Sequence, residues 1–139
     1  MSLAPEIEAK VRASFARQGL LRSFGAEIVT VEPGFVRIAA PLSEAVSQQH
    51  GAAHAGLTFA LGDSAAGYAA LTLIEGTADV MTAEMKINLL RPALGDRLVA
   101  EGRVIKPGRR LIVVQADVFA ETGGERNQVA LMQGTMVPA

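Results

Sequence analysis

The sequence predicts an α+β fold in which an antiparallel sheet wraps around a long central helix. Three observations predict it. The weakly charged stretch from Gly51 to Ile74 is apolar on all sides when wound as a helix, so it belongs inside protein rather than on a surface. The runs around it alternate apolar and polar residues or are rich in β-branched ones, as strands are. Turn dipeptides separate those runs, and consecutive strands joined by tight turns pair antiparallel.

The elements follow in order. Residues 1–24 carry an amphipathic helix, from Pro5 to about Phe24. Pro5 suits a first-turn position, Ile7, Val11, Phe15 and Leu20-Leu21 recur near helical spacing, and Gly25 ends the run. Glu27 to Glu32 and Phe35 to Ala40 are strands, joined at Pro33-Gly34 in a hairpin. Ser43 to Ala53 is a polar, glycine-containing loop. Residues 54–74 are the central helix, regular from Ala55 to about Leu73. In the strand that follows, Thr82, Glu84, Lys86 and Asn88 share one face, and Ala83, Met85, Ile87 and Leu89 the other. Pro92 and Gly95-Asp96 close it. Arg97 to Lys106, Arg109 to Ala120 and Gln128 to Val137 complete the sheet, with turns at Pro107-Gly108 and Gly123-Gly124. Residues 1–139 read as a single domain, without repeat or linker.

Composition narrows the function. A chain of 139 residues can bury about two thirds of its unfolded surface without staples. Half its residues are hydrophobic and the mean hydropathy is +0.29, so apolar surface remains for a second subunit. A net charge of −1, with no basic block, argues against nucleic acid. The absence of cysteine excludes disulfides, thiolate chemistry and a cysteine zinc site. The N-terminal residues carry charges throughout and lack an apolar signal core, which suits a cytoplasmic protein. Gly51 to Ile74 is long enough to cross a bilayer, but it is built largely of Ala, Gly, Ser and Thr and holds Asp63 near its middle. No membrane partner is expected.

The informative segment runs from Gln48 to Gly56, with Asp63 beyond it. The free N–H groups of a helix start carry partial positive charge and can hold an oxyanion, and small residues such as Ala55 and Gly56 let a substrate approach. A loop that merely turns the chain would look the same. Asp63 is the sole acidic residue between Gly51 and Ile74. A buried carboxylate has a partner or a task; either a structural bond or catalysis would account for it. His50 and His54 stand at i and i+4, but Gly51 occupies the place a HExxH glutamate would take and no other ligand follows at metal spacing, so no metal is expected. Ser64 lacks a nucleophile elbow. Lys106, Arg109 and Arg110 surround the Pro107-Gly108 turn, where they could be solvated or could hold phosphates.

The stretch from Gln48 to Asp63 resembles the loop and helix of hotdog-fold thioesterases, in particular the phenylacetate-pathway (PaaI-like) and hydroxybenzoyl-CoA thioesterase family. Gln48, Gly51, His54 and Asp63 stand at the family's polar, glycine, histidine and acidic places, and His54-Ala55-Gly56 replaces its His-Gly-Gly. TAEMKINLLRPA, GRRLIVVQADVF and ALMQGTMV resemble its later strands. The resemblance implies a hotdog fold and hydrolysis of an acyl-CoA to a carboxylic acid and free CoA, with no cofactor beyond the CoA of the substrate. It implies that the Ala55 N–H, with Gly56 beside it, polarises the thioester carbonyl. Gln48 would donate a second bond or steer the loop, and His54 would orient it. Asp63 would act as general base or nucleophile, with Thr82 placing the water or the carboxylate. Gly51, Tyr68, Arg91, Arg109 and Arg110 would line the substrate, with Phe59 and Leu57 as further candidates for the acyl wall; core packing is the alternative role for Tyr68, Phe59 and Leu57, and the one their residue types favour. A non-catalytic acyl-CoA-binding hotdog protein is the alternative; hotdog dehydratase motifs are not found.

Geometry adds a further expectation. Ala55 and Asp63 lie eight positions apart on one helix. That is about 12 Å along the axis, too far for both to reach one reacting carbon. Two antiparallel helices across a two-fold axis close the gap. The protein should therefore be a homo-oligomer, at least a dimer, with each active site shared between subunits, and the family resemblance favours a dimer of dimers.

Overall fold

The structure, a computed structural model, describes residues 2–139. Met1, the start of the expected N-terminal segment, lies outside them. Helix α1 runs Pro5–Ala16, α2 Gly19–Ser23 and α3 Ala55–Leu71. The strands are β1 Glu27–Glu32, β2 Phe35–Pro41, β3 Val80–Leu89, β4 Arg97–Pro107, β5 Ile112–Thr122 and β6 Glu125–Pro138. They form one antiparallel sheet in the order β1-β2-β4-β5-β6-β3. Helix α3 packs on it most extensively through β4, with β2 and β5 beside it. Among the described residues no helix is long and apolar enough to cross a membrane.

The core explains the central helix. Leu57, Leu61, Ala65, Ala66, Ala69 and Leu71 are all buried. Small side chains let α3 lie close to the strands. At Gly102 on β4 a Cβ would overlap the backbone of Ala65 and Ala66, so the closest approach requires glycine.

Three expectations need correction, and the strand order settles a connection that the turns left open. The single N-terminal helix is two, because Gln18 leaves helical geometry (φ −79°, ψ 99°) before α2 begins at Gly19. The break lets both Val11 and Leu21 reach the core. The central helix ends at Leu71, where Thr72 caps it by donating 2.6 Å to the Ala69 carbonyl, rather than at 73 or 74. Strands β3 and β4 do not form a hairpin. Residues 90–96 carry the chain across the sheet, so that β3 pairs with β6 at one edge and β4 with β2. Finally, Thr82 does not share a face with Glu84. A bulge at Ala83 shifts the register, since Thr82 pairs with Met136 and Glu84 with Thr135. Thr82 thus joins Met85 and Ile87 on the face toward α3.

Candidate active site

The loop before α3 is held from several sides. Residues Glu44–Val46 form a 3-10 turn, Ser47 bridges Ala53, the Ala53 N–H donates to the Ala93 carbonyl (2.9 Å) and the His54 N–H to the Val46 carbonyl (2.8 Å). Gly51 turns the chain with φ +90°, which L side chains rarely adopt. The Gln48 side-chain oxygen accepts the His50 N–H at 2.6 Å, so Gln48 braces its own loop and keeps its amide N–H groups uncommitted among the described residues.

His54 is the N-cap of α3. Its Nδ1 accepts the Gly56 N–H at 2.7 Å, which places a neutral ring's proton on Nε2. A Cβ at Gly56 would lie 2.9 Å from that nitrogen, so glycine makes room for the cap. The consequence is a division of labour. The Gly56 N–H is spent on His54, and the Leu57 N–H on the His54 carbonyl (2.9 Å). The Ala55 N–H bonds to no described residue. It points from the positive end of a 17-residue helix. Gln48, His54, Ala55, Thr58, Leu89 and Arg91 line one cleft of about 490 Å³.

Asp63 lies two turns further along, in a different cleft of about 240 Å³ with Ser14, Gln18, Tyr68, Asp79 and Thr82. Its Oδ1 accepts the Thr82 hydroxyl at 2.8 Å, the bond that the bulge at Ala83 makes possible. No cation pairs with it among the described residues. Burial raises its pKa above the ordinary aspartate value, and the Thr82 bond opposes that shift without cancelling it.

The other expected residues divide. Tyr68 is buried and lines the Asp63 cleft, and Arg91 lines the Ala55 cleft. Gly51 lies outside both. Leu57 is a core residue facing a separate apolar groove with Leu20 and Phe24, and Phe59 is on the exposed side of α3. Arg109 and Arg110 sit on the β4–β5 turn, outside both clefts, at the end of the sheet where Ile112 pairs with Met136 beside Thr82. Ser14, Gln18 and Asp79 reach the Asp63 cleft without having been foreseen. Their one sequence signal is the spacing of Ser14 and Gln18, which continue the inner stripe of Val11 and Phe15 at helical intervals.

Comparison with known proteins gives the same direction. Residues 50–126 match the family model of the thioesterase superfamily. A protein of Saccharolobus solfataricus named as an esterase is 32% identical over 92% of this chain and 83% of its own length. The acyl-coenzyme A thioesterase PaaI of Escherichia coli is 27% identical over 88% of this chain and 84% of its own length. The crystal structure of a thioesterase family protein from Silicibacter pomeroyi superposes with a TM-score of 0.92 at 44% identity, covering 95% of this chain and 97% of that one.

Proposed function

The chain belongs to the thioesterase superfamily and has its hotdog fold, and we propose that it hydrolyses an acyl-CoA thioester to a carboxylic acid and free CoA. The observation that carries this reading is the Asp63 carboxylate: half-buried, unpaired with any described cation and held by one hydroxyl. The Thr82 bond alone would suit a structural aspartate; the second carboxylate oxygen, which accepts from no described residue, and the cleft that the side chain lines are what support a catalytic role.

In the proposed reaction the thioester carbonyl oxygen sits on the Ala55 N–H, where the helix dipole favours the negative charge that develops. The Gln48 amide supplies a second donor. Water attacks the carbonyl carbon and gives its proton to Asp63; the C–S bond then breaks and the CoA thiolate leaves and takes up a proton. Direct attack by Asp63 would give an acyl anhydride that water cleaves to the same products. Thr82 fixes the carboxylate, and Arg91, which lines the Ala55 cleft, would meet a CoA phosphate. The cysteine-free chain suits a reducing, cytoplasmic setting.

Ala55 and Asp63 occupy different clefts of one chain. This supports a site completed by a second subunit. Two surfaces fit that assembly. Strand β3 is a ten-residue edge strand with Met81 and Leu89 exposed, and Phe59, Ala60, Ser64 and Gly67 flank Asp63 along an uncovered face of α3. We therefore take the protein to act as a dimer or a dimer of dimers.

The test is thiol release across a panel of acyl-CoAs. Turnover that rises with enzyme concentration and disappears in Asp63→Asn is the expected result. Tight acyl-CoA binding without thiol release would favour the non-catalytic alternative instead.

A further inference from the structure

The Asp63 cleft has a second polar wall that the reaction above does not use. Tyr68 is only 6% exposed, yet its hydroxyl lies on the cleft. The Gln18 amide donates to it at 2.8 Å, and the Ser14 hydroxyl stands 3.1 Å from it. Hydroxyl bookkeeping is informative here. Ser14 and Tyr68 have one O–H each, and the bond between them uses one. Whichever way that bond runs, one hydroxyl hydrogen remains unspent among the described residues, at a wall of the cleft. The Gln18 side-chain oxygen likewise accepts from no described residue. A donor and an acceptor therefore stand together on one side of a cleft whose other side is the Asp63 carboxylate. Among the described residues the lining holds no cation and has a second carboxylate, Asp79.

Resting on the thioesterase reading, we propose that this wall selects the acyl group. Ser14, Gln18 and Tyr68 bind an uncharged hydrogen-bonding group at the far end of the acyl chain, while Asp63 and Asp79 disfavour an anionic end. Tyr68 lies five residues beyond Asp63, about 7.5 Å along α3, so the polar end and the thioester carbon fit one short acyl chain. The preferred esters are then ω-hydroxy- or ω-amido-acyl groups, disfavoured are their hydrocarbon counterparts, and ω-carboxyacyl groups are the poorest. Gly67 lies between the two walls. A Cβ there would make ordinary contact with Met136 at 3.7 Å, so Gly67→Ala should fold and narrow the cleft.

The experiment compares kcat/KM for butanoyl-, hexanoyl- and octanoyl-CoA, each beside its ω-hydroxy and ω-carboxy analogue, in wild type, Tyr68→Phe and Gly67→Ala. At one chain length the hydroxy ester should be preferred over the hydrocarbon by about tenfold, the scale of one hydrogen bond. Tyr68→Phe should bring that ratio to about one by lowering kcat/KM for the hydroxy ester about tenfold more than for its hydrocarbon counterpart, and Gly67→Ala should shift the optimum to shorter chains. A merely structural tie between α1 and α3 would instead lower turnover of both esters equally, which overturns the proposal. So does a wild type that turns over all esters without discrimination, although it leaves the thioesterase reading intact. Failure to release thiol from any ester overturns both.

Discussion

Two carboxylates withdrawn from solvent, one half-buried on α3 and one buried on β4, have opposite fates. Asp63 faces the concave side, where burial raises its pKa and a single hydroxyl restrains the shift. Glu101 faces the convex side and is only 7% exposed. Burial pushes its pKa upward as well, but bonds and charge from Arg37 and Arg126, each 2.7 Å away, more than reverse it and hold the carboxylate below its ordinary range. Arg103 reaches the same group at 3.9 Å and pairs with Asp117 at 2.8 Å, and Arg126 lies over the Phe119 ring at 3.5 Å. Burial alone therefore does not mark a functional acid. What marks Asp63 is burial without a compensating cation among the described residues, in a cleft.

Exchanging either acid for its amide should expose the difference. Asp63→Asn keeps the Thr82 bond and removes the base, so turnover should fall by about 10² or more. A raised folded pKa stabilises the protein below the ordinary aspartate value, near pH 4, and that stabilisation is lost as pH rises through the raised value. The amide escapes this loss. Asp63→Asn should melt above wild type at neutral pH, with the advantage vanishing in acid; scanning calorimetry at several pH values checks it.

Gln48→Ala removes a polariser and leaves the base, so kcat should drop by about one to two decades. An unchanged kcat in steady-state assays would reduce Gln48 to a brace for its loop. Glu101→Gln should keep turnover within about twofold while lowering stability by about 1–3 kcal/mol, less than a fully buried pair would cost because its arginines are 34–40% exposed. A lowered folded pKa gives stability above the ordinary glutamate value, lost as pH falls through the lower one. The melting difference should therefore shrink in acid.

Thr82→Val is the finest probe. Its hydroxyl lowers the pKa that burial raises. Removing it should cost about threefold to tenfold in kcat and move the acid limb of the pH–rate profile to higher pH. A lower rate with an unmoved limb would mean that Thr82 only packs.

The sequence made some of this legible and concealed the rest for physical reasons. Asp63 stood out because it is alone in an apolar helix, and composition is a local property. The hairpins at Pro33-Gly34 and Gly123-Gly124 were readable for the same reason. The face of Thr82 was not, because the bulge at Ala83 is set by pairing with β6, some 54 residues away. The partners of β3 and β4 were not legible, because Gly95-Asp96 signals a turn and says nothing of which strand lies beyond it. Ser14 and Gln18 were overlooked because their partner, Tyr68, is 50 or more residues distant.

The central claim, that Ala55 of one subunit and Asp63 of another form each site, is tested most directly by complementation. Ala55 is the first residue of α3, and His54 before it has φ −63° and ψ 139°, a geometry that proline permits in the residue it follows. Ala55→Pro therefore deletes the one N–H while keeping the helix start. Asp63→Asn and Ala55→Pro should each be nearly inactive as homo-oligomers. Co-expressed at equal levels, they should release thiol at about a quarter of the wild-type rate, since half the dimers are mixed and each mixed dimer has one intact site of two. A mixed population, verified by mass, that stays as inactive as its parents would contradict the shared site.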